Sequence, residues 1–247
     1  MKFIASERSG FTIEPRYLYS GTRSDTLKHQ PICCPLCLQT THDEPWLVET
    51  RKYLQGREHY NCQRCKLVFV PEKFHVSDDE ALAIYDQHDN KPNDPGYRKF
   101  LSRAAEPVLR LLPKGSQGID FGSGPGPTLS IMLNESGMHC LDYDIFYANI
   151  PERLQQNYDF ITSTEVFEHL PQPRQVLDQL VPLLNAGGLL VIMTQRPKTI
   201  ERYQKWNYIL DPTHITFFRD ETFQWIATHW EIELIELHKD VAVFRKA

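Results

Sequence analysis

Ile119-Asp120-Phe121-Gly122-Ser123-Gly124-Pro125-Gly126-Pro127 reads as a buried strand running into a turn made almost wholly of glycine and proline. A parallel α/β sheet meets nucleotide-like ligands at such a turn, because residues without a Cβ let the main chain approach closely. The dinucleotide fingerprint G-x-G-x-x-G requires a third glycine where helix packs on strand. Counted from Gly122 that place holds Pro127, and counted from Gly124 it holds Leu129, so neither frame completes the NAD pattern. What remains is D-x-G-x-G-x-G, with Asp120 at the strand tip. Pro127 suits the first residue of a helix, where a missing N–H costs nothing.

Outward from the turn, the run Thr128 to Ser136 reads as a helix stopped by Gly137, a left-handed cap. Met138 to Asp144 then reads as a second strand ending in a carboxylate. An acid there can accept both hydroxyls of a ribose; Asp144 is the first candidate and Asp142 the fallback. The plainer alternative makes the turn a tight connection and the acid a helix cap.

The turn and the acid resemble motif I and the second-strand acid of class I S-adenosylmethionine-dependent methyltransferases. The likeness continues in order. Asp159 to Leu170, with Glu165-Val166-Phe167-Glu168-His169, is similar to the fourth strand and its E-x-x-E-H turn, and Asn185-Ala186-Gly187-Gly188 to the entry into strand five. It covers about Tyr97 to Ala247. The resemblance implies a Rossmann-like α/β sheet, mostly parallel with an antiparallel last strand, and S-adenosylmethionine as methyl donor. It also implies cofactor contacts from Tyr97 and Arg98 at the start of a covering helix, from Asp120, Gly122, Ser123, Gly124 and Gly126, from Asp144 and Ile145, and from Thr164 and Glu165. For Tyr97 and Arg98, core packing and a surface salt bridge stand beside that reading.

Six cysteines are present, four of them as Cys34-Pro35-Leu36-Cys37 and Cys62-Gln63-Arg64-Cys65. Two C-x-x-C knuckles can aim four thiolates at one tetrahedral ion, and a metal supplies the stability that a miniature core lacks. The pattern predicts a zinc ribbon over residues 31–75, with Cys34, Cys37, Cys62 and Cys65 as ligands. Cys33 can replace Cys34, although the spacing favours Cys34. Cys140 belongs to an apolar strand and reads as core. A redox use of the knuckles and a purely structural ribbon are the other readings.

The chain of 247 residues, with a formal charge of −5, has room for one full core and a small appendage. That charge opposes bulk nucleic-acid binding. Within the ribbon, however, Arg51, Lys52, Arg57, Arg64, Lys66 and Lys73 face only Glu58 and Glu72, a local basic stretch able to meet a phosphate or to be a solvated surface. No apolar run or signal pattern follows Met1, so a cytoplasmic protein without a membrane span is expected.

Residues 1–30 read as an arm. Residues 76–96 read as a helix through His88, opened by a Ser77/Glu80 capping box, and a linker from Asn90 to Gly96. Residues 97–247 form the catalytic domain. It opens with a helix from Tyr97 to Leu112 kinked at Pro107, and closes with a helix from Glu221 to Trp230 and strands Glu231–His238 and Val241–Arg245 joined at Lys239-Asp240. Between Asp144 and Asp159 too few residues remain for the usual helix and third strand, so that strand is expected to be very short or absent. Phe146 and Tyr147 either pack on the adenine ring or fill a loop.

Two histidines fall at the expected mouth of the site, His169 after strand four and His214 in Asp211-Pro212-Thr213-His214. Imidazole titrates near neutrality and suits removal of an acceptor proton. His169 reads either as a brace of the cofactor turn or as a catalytic group; His214 either as a brace of the loop over strand five or as a catalytic group; Glu168 can orient His169 or serve the fold. The segment from Asp211 to Phe218 is similar to an element of zinc-ribbon methyltransferases, including sugar C-methyltransferases. Those sugar enzymes carry a further domain for which no residues follow Ala247, which puts a sugar-nucleotide acceptor in doubt. The leading expectation is methyl transfer to a small molecule. An RNA methyltransferase gripping nucleic acid by its ribbon, and a non-catalytic binding module, are the alternatives.

Overall fold

The structure, a computed structural model, describes residues 31–41, 43–87, 91–197 and 199–247. The expected arm over 1–30, the helix end at His88 and the first linker residue Asn90 lie outside them. No helix among the described residues is long and apolar enough to cross a membrane.

The N-terminal part is made of short strands: β1 (Ile32–Cys33) pairs antiparallel with β2 (Thr40–Thr41), and β3 (Leu47–Val48), β4 (Glu58–Asn61) and β5 (Val68–Phe69) form an antiparallel sheet. The two C-x-x-C turns are built alike. Leu38 N donates to Cys34 O at 3.0 Å and Lys66 N to Cys62 O at 2.9 Å, and Leu38 and Lys66, each one residue past its second cysteine, both adopt φ of 60°.

Helix α1 (Asp78–Tyr85) opens with the expected box: Ser77 Oγ accepts from Glu80 N, and Glu80 accepts from Ser77 N. Helix α2 (Pro95–Leu111) is capped by Asp94, which accepts from Tyr97 N, and runs through Pro107 as one element. The remaining elements are β6 (Gln117–Phe121), α3 (Thr128–Glu135), β7 (His139–Tyr143), β8 (Tyr158–Thr164), α4 (Pro173–Leu180), β9 (Leu184–Met193), α5 (Ile200–Tyr203), β10 (Thr216–Phe217), α6 (Asp220–His229), β11 (Ile232–His238) and β12 (Val241–Lys246). Pro127 takes the cap position of α3 rather than its first turn, and Gly137 ends that helix with φ of 93°.

The main sheet has the order β11-β12-β9-β8-β6-β7. Strands β7, β6, β8 and β9 run parallel, whereas β12 is antiparallel to β9 and to β11. This is the mostly parallel Rossmann-like sheet expected. After Tyr143 the chain makes a small bridge between Asp144 and Ala148 and a 3-10 turn at Pro151–Gln155, then enters β8 directly. No third strand stands beyond β7 among the described residues, as the short spacing required.

Central strands buried on both faces alternate sides with period two. Along β9, Leu189, Val191 and Met193 pack with α2 and α3 residues Leu101, Val108, Leu129 and Leu133, while Leu190 and Ile192 pack with α4 and α6 residues Leu177, Leu180, Phe223 and Ile226. Each such fully buried aliphatic or aromatic side chain contributes about 1.5–3 kcal/mol. Cys34, Leu36 and Leu67 join the second of these clusters. In addition β10 pairs with β5, so a strand from the C-terminal half of the chain completes the sheet of the N-terminal part.

Candidate active site

The glycine turn at the C-terminal end of β6 folds back on β7. Gly122 N and Ser123 N both donate to Tyr143 O, at 2.7 and 3.1 Å. Gly122 and Gly124 have φ of 81° and 66°, a left-handed backbone that side chains disfavour, and a Cβ on Gly122 would lie 2.3 Å from a Val166 methyl. Asp144, at the end of β7, ties the turn to the next loop: Oδ2 accepts from Gly124 N at 3.0 Å, and Oδ1 accepts from Phe146 N and Tyr147 N at 2.8 and 3.1 Å. Asp120 is 3% exposed and accepts a 2.7 Å bond from Thr162 Oγ1. Burial pushes its carboxyl up to about 7, against the pull of Thr162, with the charges of Asp142 and Asp144 adding to the rise.

The turn forms one wall of a cavity of about 360 Å³, the size range of small-ligand sites. Of the residues named from the sequence, Tyr97, Asp120, Gly122, Ser123, Gly124, Gly126, Asp144, Ile145, Thr164, Glu165, His169 and His214 line it together. Arg98 does not: its guanidinium donates to Pro92 O and pairs with Glu135 on α3. Phe146 and Tyr147 both line the cavity, the Tyr147 hydroxyl donating to Asp86 at 2.6 Å.

The opposite wall carries the E-x-x-E-H turn and the Asp211 loop. Glu165 sits at φ of 51°, directly after β8, and its N donates to Met193 O at 2.8 Å. Burial raises the Glu165 carboxyl to about 9, with the neighbouring Glu168 charge adding to it. Glu168 is fully buried and also raised by desolvation. Tyr208 bridges the two carboxylates, its hydroxyl 2.5 Å from Glu168 Oε1 and 3.3 Å from Glu165 Oε2. His169 and His214 meet edge to face with ring centroids 4.7 Å apart, and Tyr85 from α1 closes on His169 at 5.2 Å. Burial, and then the His169 charge, holds the His214 imidazole below its ordinary range.

That histidine loop is held from the ribbon. Arg57, 2% exposed, donates to Asp211 O at 3.0 Å, Pro212 O at 3.2 Å and His214 O at 2.6 Å. Tyr53 donates to Leu210 O at 3.0 Å, and His59 shares a 2.8 Å bond with the Tyr203 hydroxyl. Arg57, Tyr53, Tyr85 and Tyr208 were not singled out as site residues from the sequence, because each acts across more than forty positions of chain or through a fold contact. A basic residue inside an otherwise small, cysteine-rich unit was the one available signal for Arg57.

The four cysteines converge. Cys34 and Cys65 sulfurs are 3.5 Å apart, Cys37 and Cys62 sulfurs 3.3 Å, and all four lie within 4.8 Å of one another. These separations are well beyond a disulfide of about 2.05 Å and near the roughly 3.8 Å edge of a tetrahedron with metal–sulfur bonds of about 2.3 Å. The donor set therefore fits a zinc ion. Cys33 stays exposed outside the cluster, and Cys140 is buried in β7.

A six-strand sheet with this strand order, with a glycine turn and a strand-end acid on one side of the cavity and two histidines on the other, fits an S-adenosylmethionine-dependent methyltransferase. Residues 95–237 match the methyltransferase domain family, and the chain belongs to it. Similar proteins include the ubiquinone biosynthesis O-methyltransferase of Pseudomonas savastanoi pv. phaseolicola, 29% identical over 77 residues, a match that takes in 31% of this chain and 33% of the relative. The chain thus spans about a third of the length of the curated relatives it matches. Among solved structures, a SAM-dependent methyltransferase from Archaeoglobus fulgidus has a TM-score of 0.46 at 17% identity, covering 60% of this chain and 94% of that one. Magnesium protoporphyrin IX methyltransferase from Synechocystis PCC 6803 with bound SAH has a TM-score of 0.44 at 17% identity, covering 62% and 84%.

Proposed function

We propose that the protein transfers the methyl group of S-adenosylmethionine to a small-molecule acceptor, and that a zinc ion held by Cys34, Cys37, Cys62 and Cys65 stiffens the ribbon that carries the histidine loop. One observation carries the reading: a single cavity is lined on one wall by the glycine turn with Asp144 and on the other by His169 and His214.

The sulfonium supplies an activated methyl group, so the chain's task is to hold two molecules in line and keep water out. In this reading the Asp144 carboxylate accepts the ribose hydroxyls, and the turn at Gly122 to Gly126, which lines the same cavity, receives the donor's amino-acid end. Tyr97 from α2 and Phe146 from the loop after β7 bring apolar surface to the same wall. Thr164 and Glu165, at the end of β8, stand between the donor wall and the histidines. His169 and His214 face the acceptor, where its proton must be taken up or released.

The ribbon's charges favour a small molecule over RNA. Arg51 pairs with Glu49 at 2.6 Å, Lys73 with Glu58 at 2.8 Å, and Arg57 is buried against the Asp211 loop. Of these, Arg57 is used inside the fold, and Arg51 and Lys73 are paired with acids at the surface rather than left unpaired. The relatives named as ubiquinone biosynthesis O-methyltransferases agree with a small acceptor. Calorimetry with S-adenosylmethionine and S-adenosylhomocysteine, followed by a labelled-methyl screen of metabolites against total RNA, tests the proposal. Binding of both cofactors with label in a metabolite is the expected result; binding to neither refutes the donor site, and label in RNA refutes the acceptor class.

A further inference from the structure

The acceptor-side wall holds three side chains whose arrangement does more than move a proton. One carboxylate oxygen of Glu168 and one imidazole nitrogen each of His169 and His214 lie within 4.8 Å of one another. His169 Nδ1 stands 3.2 Å from Thr213 O, and His214 Nδ1 stands 2.7 Å from Tyr208 O. A carbonyl oxygen can only accept, so each Nδ1 carries a proton, and in the neutral ring this leaves the lone pair on Nε2. Main-chain carbonyls that fix the tautomer and orientation of a histidine in this way are the usual outer support of a metal-binding imidazole.

The carboxylates point the same way. Glu168 is fully buried, and while Oε1 accepts the Tyr208 hydroxyl, Oε2 has no hydrogen-bond partner among the described residues. Glu165, which shares that hydroxyl, likewise has a buried Oε1 without a hydrogen-bond partner there. No lysine or arginine lines the cavity among the described residues. An unsatisfied oxygen on a buried carboxyl group costs free energy unless a proton or a cation compensates it. Asp211, whose Oδ2 is 3.8 Å from His214 Nε2, adds a third acid to this wall.

We propose that Glu168, His169 and His214 bind a divalent transition-metal cation that coordinates an oxygen of the acceptor. Two imidazoles and one carboxylate favour zinc, manganese, iron or cobalt over magnesium or calcium, which prefer oxygen ligands alone. Bonds of about 2.1 Å require ligand atoms roughly 3–4 Å apart, which side-chain shifts of about 1 Å supply. This inference rests on the methyl-transfer reading above and deepens it: the two histidines act on the acceptor through the cation. A coordinated hydroxyl loses its proton to water more readily. The resulting oxyanion then forms the O–C bond with the methyl carbon as the C–S bond breaks, and that electron pair stays on sulfur as a neutral thioether. The acceptor class this selects is an alcohol or phenol, above all one with a second oxygen donor beside the reacting hydroxyl.

Mn2+ is the probe, because it competes poorly with zinc for the four thiolates. The zinc-loaded full chain is titrated with Mn2+ and followed by electron paramagnetic resonance, with ¹⁴N couplings read by spin-echo modulation. One Mn2+ site per chain showing two imidazole couplings is expected. His169→Asn and Glu168→Gln should each weaken it at least tenfold, with S-adenosylhomocysteine binding retained as the check of folding. If Glu168→Gln does not fold, His169→Asn alone decides. No stoichiometric Mn2+ site, a site without nitrogen couplings, or one unchanged in His169→Asn overturns the proposal. Failure of S-adenosylhomocysteine to bind the unaltered chain instead overturns the donor reading, so the two failures are distinct.

Discussion

Replacing Arg57 by methionine keeps the apolar stem of the side chain and removes a guanidinium that holds three carbonyls of the histidine loop, those of Asp211, Pro212 and His214. A hydrogen bond from a charged donor is worth about 1.5–3 kcal/mol, and part of that sum is returned because the variant no longer buries a charge that desolvation disfavours. A net loss of about 3 kcal/mol follows, which for a chain of this length lowers Tm by roughly 6–12 °C. The loop keeps its β10 pairing to the ribbon but loses its anchor at His214, and a misplacement of about 1 Å in an acceptor-side group costs on the order of a hundredfold in kcat. The donor wall at Gly122 and Asp144 is built by β6 and β7 without Arg57, so S-adenosylhomocysteine affinity should stay within about twofold of the unaltered chain. Scanning calorimetry, metal analysis, cofactor titration and the methyl-transfer assay on one preparation provide the test. A Tm within about 2 °C of the unaltered chain together with kcat within threefold would show that the ribbon does not position the loop.

Gly122→Ala places a Cβ at φ of 81° and 2.3 Å from a stiff, β-branched Val166; cofactor affinity should fall at least about tenfold, and Val166→Ala in the same chain should restore part of it, whereas equal loss in both chains refutes the clash. Cys62→Ser should leave less than one zinc per chain and lower Tm, and a full metal complement by elemental analysis refutes the ligand set. Asp120 has a folded pKa of about 7, above its unfolded value, so the folded state binds the extra proton and this residue's contribution to stability falls as pH rises from about 4 to 7, by on the order of 4 kcal/mol. Asp120→Asn, which keeps a partner for Thr162 and removes the charge facing Asp142 and Asp144, should flatten the pH dependence of Tm over that window; an unchanged slope refutes the assignment.

Local chemistry made the donor side legible. Gly122 and Gly124 need left-handed backbone, Asp144 ends a strand that neighbours the turn, and the capping box at Ser77 and Glu80 lies within four residues; each is a short-range constraint written in consecutive positions. The absent third strand was equally readable, because a crossover has a minimum length. Arg98 shows the limit of that reasoning. A resemblance placed it at the cofactor, but the turn of α2 that points Tyr97 into the cavity points the next residue toward Glu135 on α3, and a residue-by-residue match does not carry a side chain's direction.

The sequence by itself determined the sheet, the glycine turn at its edge and the grouping of four cysteines, since these depend on periodicity, glycine and close spacing. Only the tertiary structure decided where the cysteine-bearing unit meets the rest of the chain and which side chains the histidines touch. Arg57 reaches carbonyls more than 150 residues away, Tyr208 joins the carboxyl groups of Glu165 and Glu168 from 43 and 40 positions away, and His169 and His214 come into contact across 45 positions of chain. Such pairings follow from how β5 and β10 join in one sheet, and long-range packing of that kind leaves no periodic trace in the chain.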